Sequence, residues 1–535
     1  MLIGIRTIMS ATLGCLIVFS TASAAFSANY PLEIVLPEAN DNTNNRYYKA
    51  YPGLRYEVPV GVFGGAYPFT YSLDRAPSGM NIDPQTGIIT WGRATTSGSP
   101  HNVTVRVADS ESNSVTQSWT ITVTTSGFIF VDSVNGTPIA GNGCSSNCGD
   151  GSIGNPLRDL SDVYHGINPP QYLNQDTTFD DYFLYFRAGT YYPQGVVNNS
   201  GVKDTHIDWR VSKPIVWMAY PGENVVVDFD HPNADETGAA FKLDNSSNAA
   251  YDDLWIQGIT FRDMLNNAFY FSGTHHNVVI YDNIFTNLAA GSDGYNTAYL
   301  MVGGTGISGS ETKHLYSHNT FHPGQTEDTF IKTYSTRKLI IDSNTLDNGN
   351  IAIKAYSQYT DIRGNTIKNH SAGSIAGNWN NVADMEIRFN NILNSDTTYS
   401  GGGQEGAIVM NYHDTAGEVF VYRNTINGSI SLHNGTSDDG PFHVYSNVIV
   451  NENGGIDNPN GTHITQSNGV STSSILRIGT GSLANLAGST NAGIIDTNNA
   501  LTSGYDSYLG THGHLIDGSS SPIPRISVPQ AFSVR

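Results

Sequence analysis

The chain has 535 residues, room for two to four domains of about 150 residues each. Lys and Arg total 26 against 47 Asp and Glu, and the net charge of −21 excludes a generally basic nucleic-acid surface. Only 14% of residues are charged, against about 25% in average domains, which excludes a charge-rich disordered chain; 56 Gly and 29 Tyr favour a turn-rich β fold.

At the N-terminus, Arg6 precedes an apolar run from Ile8 to Phe19, followed by Ala22-Ser23-Ala24. A basic start, a short apolar core and a small-x-small end predict a signal peptide over 1–24, cleaved near Ala24. The run is shorter than the roughly 20 apolar residues of a membrane span, and no later run suffices either. The expectation is a secreted or periplasmic protein with no membrane span. Cys15 lies inside the apolar core. Cys144 and Cys148 are close enough to form a small disulfide loop after export.

Residues 29–125 read as short strands of period two, among them Tyr56–Val60, Phe69–Leu73, Val103–Val107 and Trp119–Val123, separated by Gly, Pro and Ser turns. This pattern predicts a β-sandwich. The stretch from Leu73 through Asp83-Pro84-Gln85-Thr86-Gly87 to Trp91 resembles the bacterial immunoglobulin/cadherin-like domains attached to secreted enzymes and adhesins. The resemblance implies a spacer or binding module rather than chemistry.

From residue 127 the organisation changes. Asn155-Pro156 opens a segment with Leu157, Leu160 and Val163 on one face, which predicts a short helix capped by Asn155. Such a helix would cover the open end of a repeat fold. An apolar-x-x-Asn-x-apolar unit then recurs around Asn283, Asn319, Asn344, Asn365, Asn391, Asn424 and Asn447. Self-similarity at 20–40 residues marks a solenoid, and β-branched, Gly-punctuated segments disfavour helical repeats. The rung is a little over 20 residues, with longer intervals as insertions, and inward Asn side chains would hydrogen-bond along the stack. The fold class is therefore all-β: an N-terminal β-sandwich followed by a right-handed parallel β-helix over 127–535. The Asn repeats, with Tyr185–Tyr191 and Ile215–Glu223 as early rungs, resemble the pectin-lyase-like superfamily.

Second strands beside the Asn turns align by an inward isoleucine or its equivalent. One outward column then holds Tyr270, Lys332, Lys354, Ala376, Val409 and Ser431. The next holds Ser272, Tyr334, Tyr356, Asn378, Asn411 and His433, with Arg337 and His413 just beyond. A stripe of Lys, Tyr, Asn and His is the lining expected of a sugar-binding groove. Residues 331–370 also carry six cations, Arg363 among them, against three carboxylates, a patch suited to an anionic ligand.

Lys332 and Lys354 are one rung apart. Two ammonium groups ~5 Å apart at an effective dielectric of about 20 repel by roughly 3 kcal/mol, which lowers one pKa by about two. A partly neutral Lys serves as a general base while its charged neighbour donates a proton. β-Elimination on a uronic acid needs both, one group at C5–H and another at the leaving glycosidic oxygen.

The same segment resembles polysaccharide lyase family 6, which includes alginate lyases and a chondroitinase. Glu327 lies five residues before Lys332, and the family's Arg position falls on Lys354 in Ile353-Lys354-Ala355-Tyr356. The resemblance implies Lys332 as base, Lys354 as acid, Glu327 as a calcium ligand and, by position, Asn296 as another. The family's Arg-His-Gly reads Lys354-Ala355-Tyr356 here, and its second metal Glu falls on Gln325. Tyr334 or Tyr356 would then supply the acid or polarise the base, with Arg337, Arg363, Asn378, Asn411, His413 and His433 contacting substrate. The expected activity is cleavage of an anionic, uronate-containing polysaccharide such as alginate. The rivals are a β-helix glycoside hydrolase, which needs a carboxylate pair, and a glycan-binding adhesin with the same stripe and no proton transfer.

Overall fold

The computed structural model describes residues 29–38, 45–141, 143–163, 183–192, 207–209, 215–229, 239–244, 251–265, 267–272, 275–289, 298–303, 312–322, 329–333, 336–370, 373–377, 383–393, 407–410, 418–426, 430–432, 442–445, 447–449, 455–458, 464–466, 469–470 and 475–478. The expected signal peptide lies outside the described residues, as does everything after 478.

The N-terminal unit is a β-sandwich. Lys49–Ala50, Ser114–Val123, His101–Ala108 and Thr70–Arg75 form a four-stranded sheet. Tyr56–Val58, Ile89–Trp91 and Met80–Ile82 form a three-stranded one, and Glu33–Leu36 pairs with Gly61–Phe63. The period of two is visible in His101–Ala108, where Val103, Val105 and Val107 are buried between more exposed neighbours. The Asp83 carboxylate accepts from the amides of Gln85 and Thr86, each at 2.9 Å, which closes the turn before Gly87. Gly87 has φ +73°, and a Cβ there would lie 2.6 Å from the Tyr71 ring.

The rest is a parallel β-helix of three sheets. The first runs from Phe128–Val131 to Ile464–Gln466 with 12 strands. The second runs from Gly189–Tyr191 to Gly469–Val470 and the third from Ile207–Trp209 to Ile475–Ile478, with 11 strands each. Inward residues stack in register. Along the second sheet Phe261, Phe285 and Phe321 stack ring on ring at 5.4 and 4.9 Å, then give way to Leu346, Ile367, Ile392 and Ile426. Leu157 joins this core, as do Leu160 and Val163 from the short helix Leu160–Val163. Its first turn is capped by Asp159, whose Oδ1 accepts from Asp162 N at 3.2 Å. Asn155, the expected cap, instead donates its side-chain amide to Cys148 O at 2.8 Å, beside the Cys144–Cys148 disulfide.

From Asn283 to Asn447, each corner between the first and second sheets carries a buried asparagine. Nδ2 of Asn283, Asn319, Asn344, Asn365, Asn390 and Asn424 donates to Oδ1 of the next asparagine at 2.9–3.1 Å. The same nitrogens reach back to a carbonyl of the preceding rung, as Asn365 Nδ2 does to Ile341 O at 2.9 Å. The ladder member in the fifth copy is Asn390, not Asn391 as the sequence alignment has it. The residue before each of these six asparagines is left-handed, with φ from 55° to 63°; in this copy that residue is Phe389. The backbone kink thus sets which amide turns inward.

The sandwich packs against the helix. It lies on the outer face of the first sheet, and the two share one apolar cluster: Tyr47, Val58, Val62 and Phe63 with Phe130, Tyr185, Trp255 and Ile340. Tyr47 meets Trp255 edge-on at 5.0 Å, and Tyr67 meets Phe389 at 4.8 Å. Polar groups complete the seam. Arg363 Nη1 donates to Val62 O at 2.7 Å, and Arg388 donates to the carbonyls of Gly65 and Gly64 at 2.6 and 2.9 Å. Asp361 bridges the two guanidiniums, all three side chains being fully buried. Burial works to raise the Asp361 carboxyl, but Arg388 and Arg363 hold it below its ordinary range.

Two stability outcomes follow from these contacts. Asn390→Ala should cost about 3–5 kcal/mol in urea unfolding, because several buried partners each lose a bond worth ~1–3 kcal/mol. Asn391→Ala, one residue on, should cost less than about 1 kcal/mol, since its buried Oδ1 has no partner to lose. Asp361→Asn removes the carboxylate shared by two buried guanidiniums, leaving Arg363 with Asp342 alone and Arg388 with Glu386 alone, and should cost about 3–5 kcal/mol. Sandwich and helix tryptophans (Trp91, Trp119, Trp217 and Trp255, probed singly) should then report one shared transition.

Candidate active site on the third sheet

The strand Thr329–Thr333 turns Ile331 and Thr333 inward and leaves Lys332 on the outer face. The next rung, Ile351–Ala355, does the same with Ile353, Ala355 and Lys354. Lys332 and Lys354 are direct register partners, so their Cα atoms are one strand spacing, ~4.8 Å, apart. Beneath them the Thr333 hydroxyl meets the Ser357 hydroxyl at 2.6 Å in the buried wall.

The two amines differ. Lys332 is 5% exposed and Lys354 is partly exposed. Burial lowers the Lys332 amine, the Lys354 charge lowers it further, and it falls to about 8. Lys354 is lowered by burial. Burial, rather than the like-charge repulsion expected from the one-rung spacing, is the larger cause.

The column is longer than the sequence alignment made it. The rung Ala298–Gly303 stands between Tyr270 and Lys332 and puts Met301 in register with both. Leu300 holds the inward place in this rung, between Phe269 and Ile331. Ala376, Val409 and Ser431 follow Lys354 as expected.

Several expected site residues lie elsewhere. Tyr356 is 4% exposed and belongs to the interior core, with its amide donating to Thr333 O at 2.8 Å. The pleat ends at Ala355, so the outward alternation does not extend to Tyr356. Arg363 is wholly buried in the seam with the sandwich, where Val62 O, Asp342 and Asp361 use its guanidinium. Arg337 opens a first-sheet strand, and its guanidinium lies 4.7 Å over the Tyr359 ring, toward the sandwich. The cationic patch is likewise dispersed over different faces: Lys338 pairs with Glu33 and Lys368 with Asp347. Linear charge counting ignores which sheet each residue enters. Tyr334, Asn378, Asn411, His413, His433, Glu327 and Asn296 lie outside the described residues. Among the described residues no group of three or more His, Cys, Asp or Glu could hold a metal ion, and no helix is long and apolar enough to cross a membrane.

The family model described as "Putative Ig domain" matches residues 31–124. The crystal structure of pectate lyase Pel9A is similar over 76% of this chain and 90% of its own, at 15% identity and a TM-score of 0.34. No curated protein matches the chain.

The balance of causes at Lys332 is measurable. In Lys354→Met, the Lys332 amine should rise from about 8 yet stay well below the ordinary 10.5, because burial persists. Titration of isotopically methylated lysines by NMR would read this, and a full return to the ordinary value would make repulsion the main cause.

Proposed function

We propose that this chain is a polysaccharide lyase that cleaves an anionic, uronate-containing polysaccharide by β-elimination. The observation that carries the reading is the pair Lys332–Lys354, in direct register on the outer face, with the Lys332 amine lowered to about 8 by burial and by its neighbour's charge.

Lys332, when neutral, takes the C5 proton of the uronate. The C5–H electrons form the C4–C5 double bond as the C4–O bond breaks. The Lys354 ammonium gives its proton to the departing glycosidic oxygen. One amine gains a proton and the other loses one, so the pair resets by exchanging a proton with solvent. Before transfer, the Lys354 charge also favours a carboxylate-bearing sugar. The lowered Lys332 amine gives up its proton more readily than an ordinary lysine, which suits it to the base. The Cys144–Cys148 disulfide fits an exported protein acting on such polymers.

The test is ultraviolet absorbance from the unsaturated uronate product on a panel of polyuronates. Lys332→Ala should lower kcat by about 10²–10⁴-fold with KM changed only a few-fold. Lys332→Arg should be equally impaired, since a guanidinium keeps the charge but does not give up its proton. The wild-type rate should rise about tenfold per pH unit below pH 8 as Lys332 loses its proton, level off above it, and fall where Lys354 deprotonates. New reducing ends without absorbance would make the protein a hydrolase. Binding without turnover would make it an adhesin.

A further inference from the structure

Where the sandwich meets the corner between the first and second sheets, the two units enclose a cleft of about 390 Å³. That is within the about 300–1,000 Å³ of small-molecule sites. Arg46, Arg55 and Glu57 line it from the sandwich. Tyr185, Tyr220, Gln257 and Asp282 line it from four successive rungs of the helix. All its lining residues lie in described segments.

Two buried groups on this wall are left unsatisfied. Arg46, 2% exposed, donates through Nη1 to Lys49 O at 2.8 Å and through Nη2 to Arg55 O at 3.4 Å. Its guanidinium lies 4.6 Å from the Tyr56 ring and 5.9 Å from the Tyr185 ring. Its Nε has no partner, and among the described residues no carboxylate pairs with it. Tyr185, 1% exposed, likewise has a hydroxyl without a partner. A buried donor without an acceptor costs stability unless something supplies one. A water or two, about 30 Å³ each, would serve these groups, but the cleft is several times larger. Acceptors stand beside the donors. Glu57 holds Arg55 and accepts from the Tyr281 hydroxyl at 2.9 Å, while the Asp282 carboxylate is exposed. Ile284, 41% exposed, adds apolar surface.

A sugar ring fits such a lining: each hydroxyl both donates and accepts, and the ring's C–H faces suit tyrosine and isoleucine. A simple anion would meet Arg46 but also Glu57 and Asp282. We infer that the cleft is a second carbohydrate-binding site, which takes a sugar unit through its ring hydroxyls. The corner lies opposite the third sheet in the three-sided cross-section, so this site is separate from Lys332 and Lys354. It anchors a glycan and holds other parts of the same polymer at high local concentration. The assignment does not depend on the elimination reading, since a hydrolase or an adhesin gains from the same anchor.

The experiment is calorimetric titration of the full chain carrying Lys332→Ala, so that no ligand is consumed. The probes are neutral cello- and manno-oligosaccharides and oligouronates of four to six sugars, which separates the two sources of the same hydroxyl chemistry. Saturable binding of at least one class is expected. Asn224→Trp adds bulk at an exposed position on the cleft wall and should weaken that binding about tenfold or more. Arg46→Met, which removes the unsatisfied guanidinium, should weaken it similarly. If melting shows that Arg46→Met does not fold, Asn224→Trp decides alone. Binding that survives Asn224→Trp unchanged belongs to another face, the lysine face included, and overturns the assignment. No binding of either class leaves the cleft to water and overturns it too.

Discussion

A parallel β-helix must bend its chain three times per rung without stranding backbone polar groups inside. At the corner between the first and second sheets the solution is the asparagine ladder. Each side chain satisfies a carbonyl of one rung and the amide oxygen of the next, so the bend, the rung height and the register are set by one repeated contact. The left-handed residue before each asparagine turns the amide inward. With that corner fixed, the three sheets fall into register, and every outward column, the lysine column included, inherits its alignment from it.

The ladder also explains how much of the fold was legible. Asparagines at similar intervals in β-branched surroundings specify a stacked β solenoid from sequence alone, because one interaction recurs with one residue type. The exception was the Asn390-Asn391 pair. Pattern cannot choose between adjacent asparagines, whereas the kink at Phe389 does. The cap at Asp159 was hidden similarly, since Asn155-Pro156 carries the stronger local signal but spends its amide on Cys148 O.

The lysine pair was legible for the same reason as the ladder, a spacing of one rung. Its surroundings were not. Arg363 looks like a surface cation until the fold turns it to Asp361 and Asp342 and brings the sandwich carbonyl of Val62, 301 positions away, to it. Tyr356 follows the outward alternation on paper, yet lies past the end of its strand, where the pleat no longer governs direction. The Lys332 amine is lowered chiefly by burial, a property of the packed molecule rather than of the spacing.

The sandwich that covers the first sheet precedes in the chain every rung that it covers. Glu33, Val62, Gly64 and Gly65 leave the ribosome before Lys338, Arg363 and Arg388 exist to meet them. A solenoid made alone would present each new strand of this sheet as a bare apolar ribbon with an open edge, the kind of surface that pairs with other chains. Here the order of synthesis supplies a partner in advance.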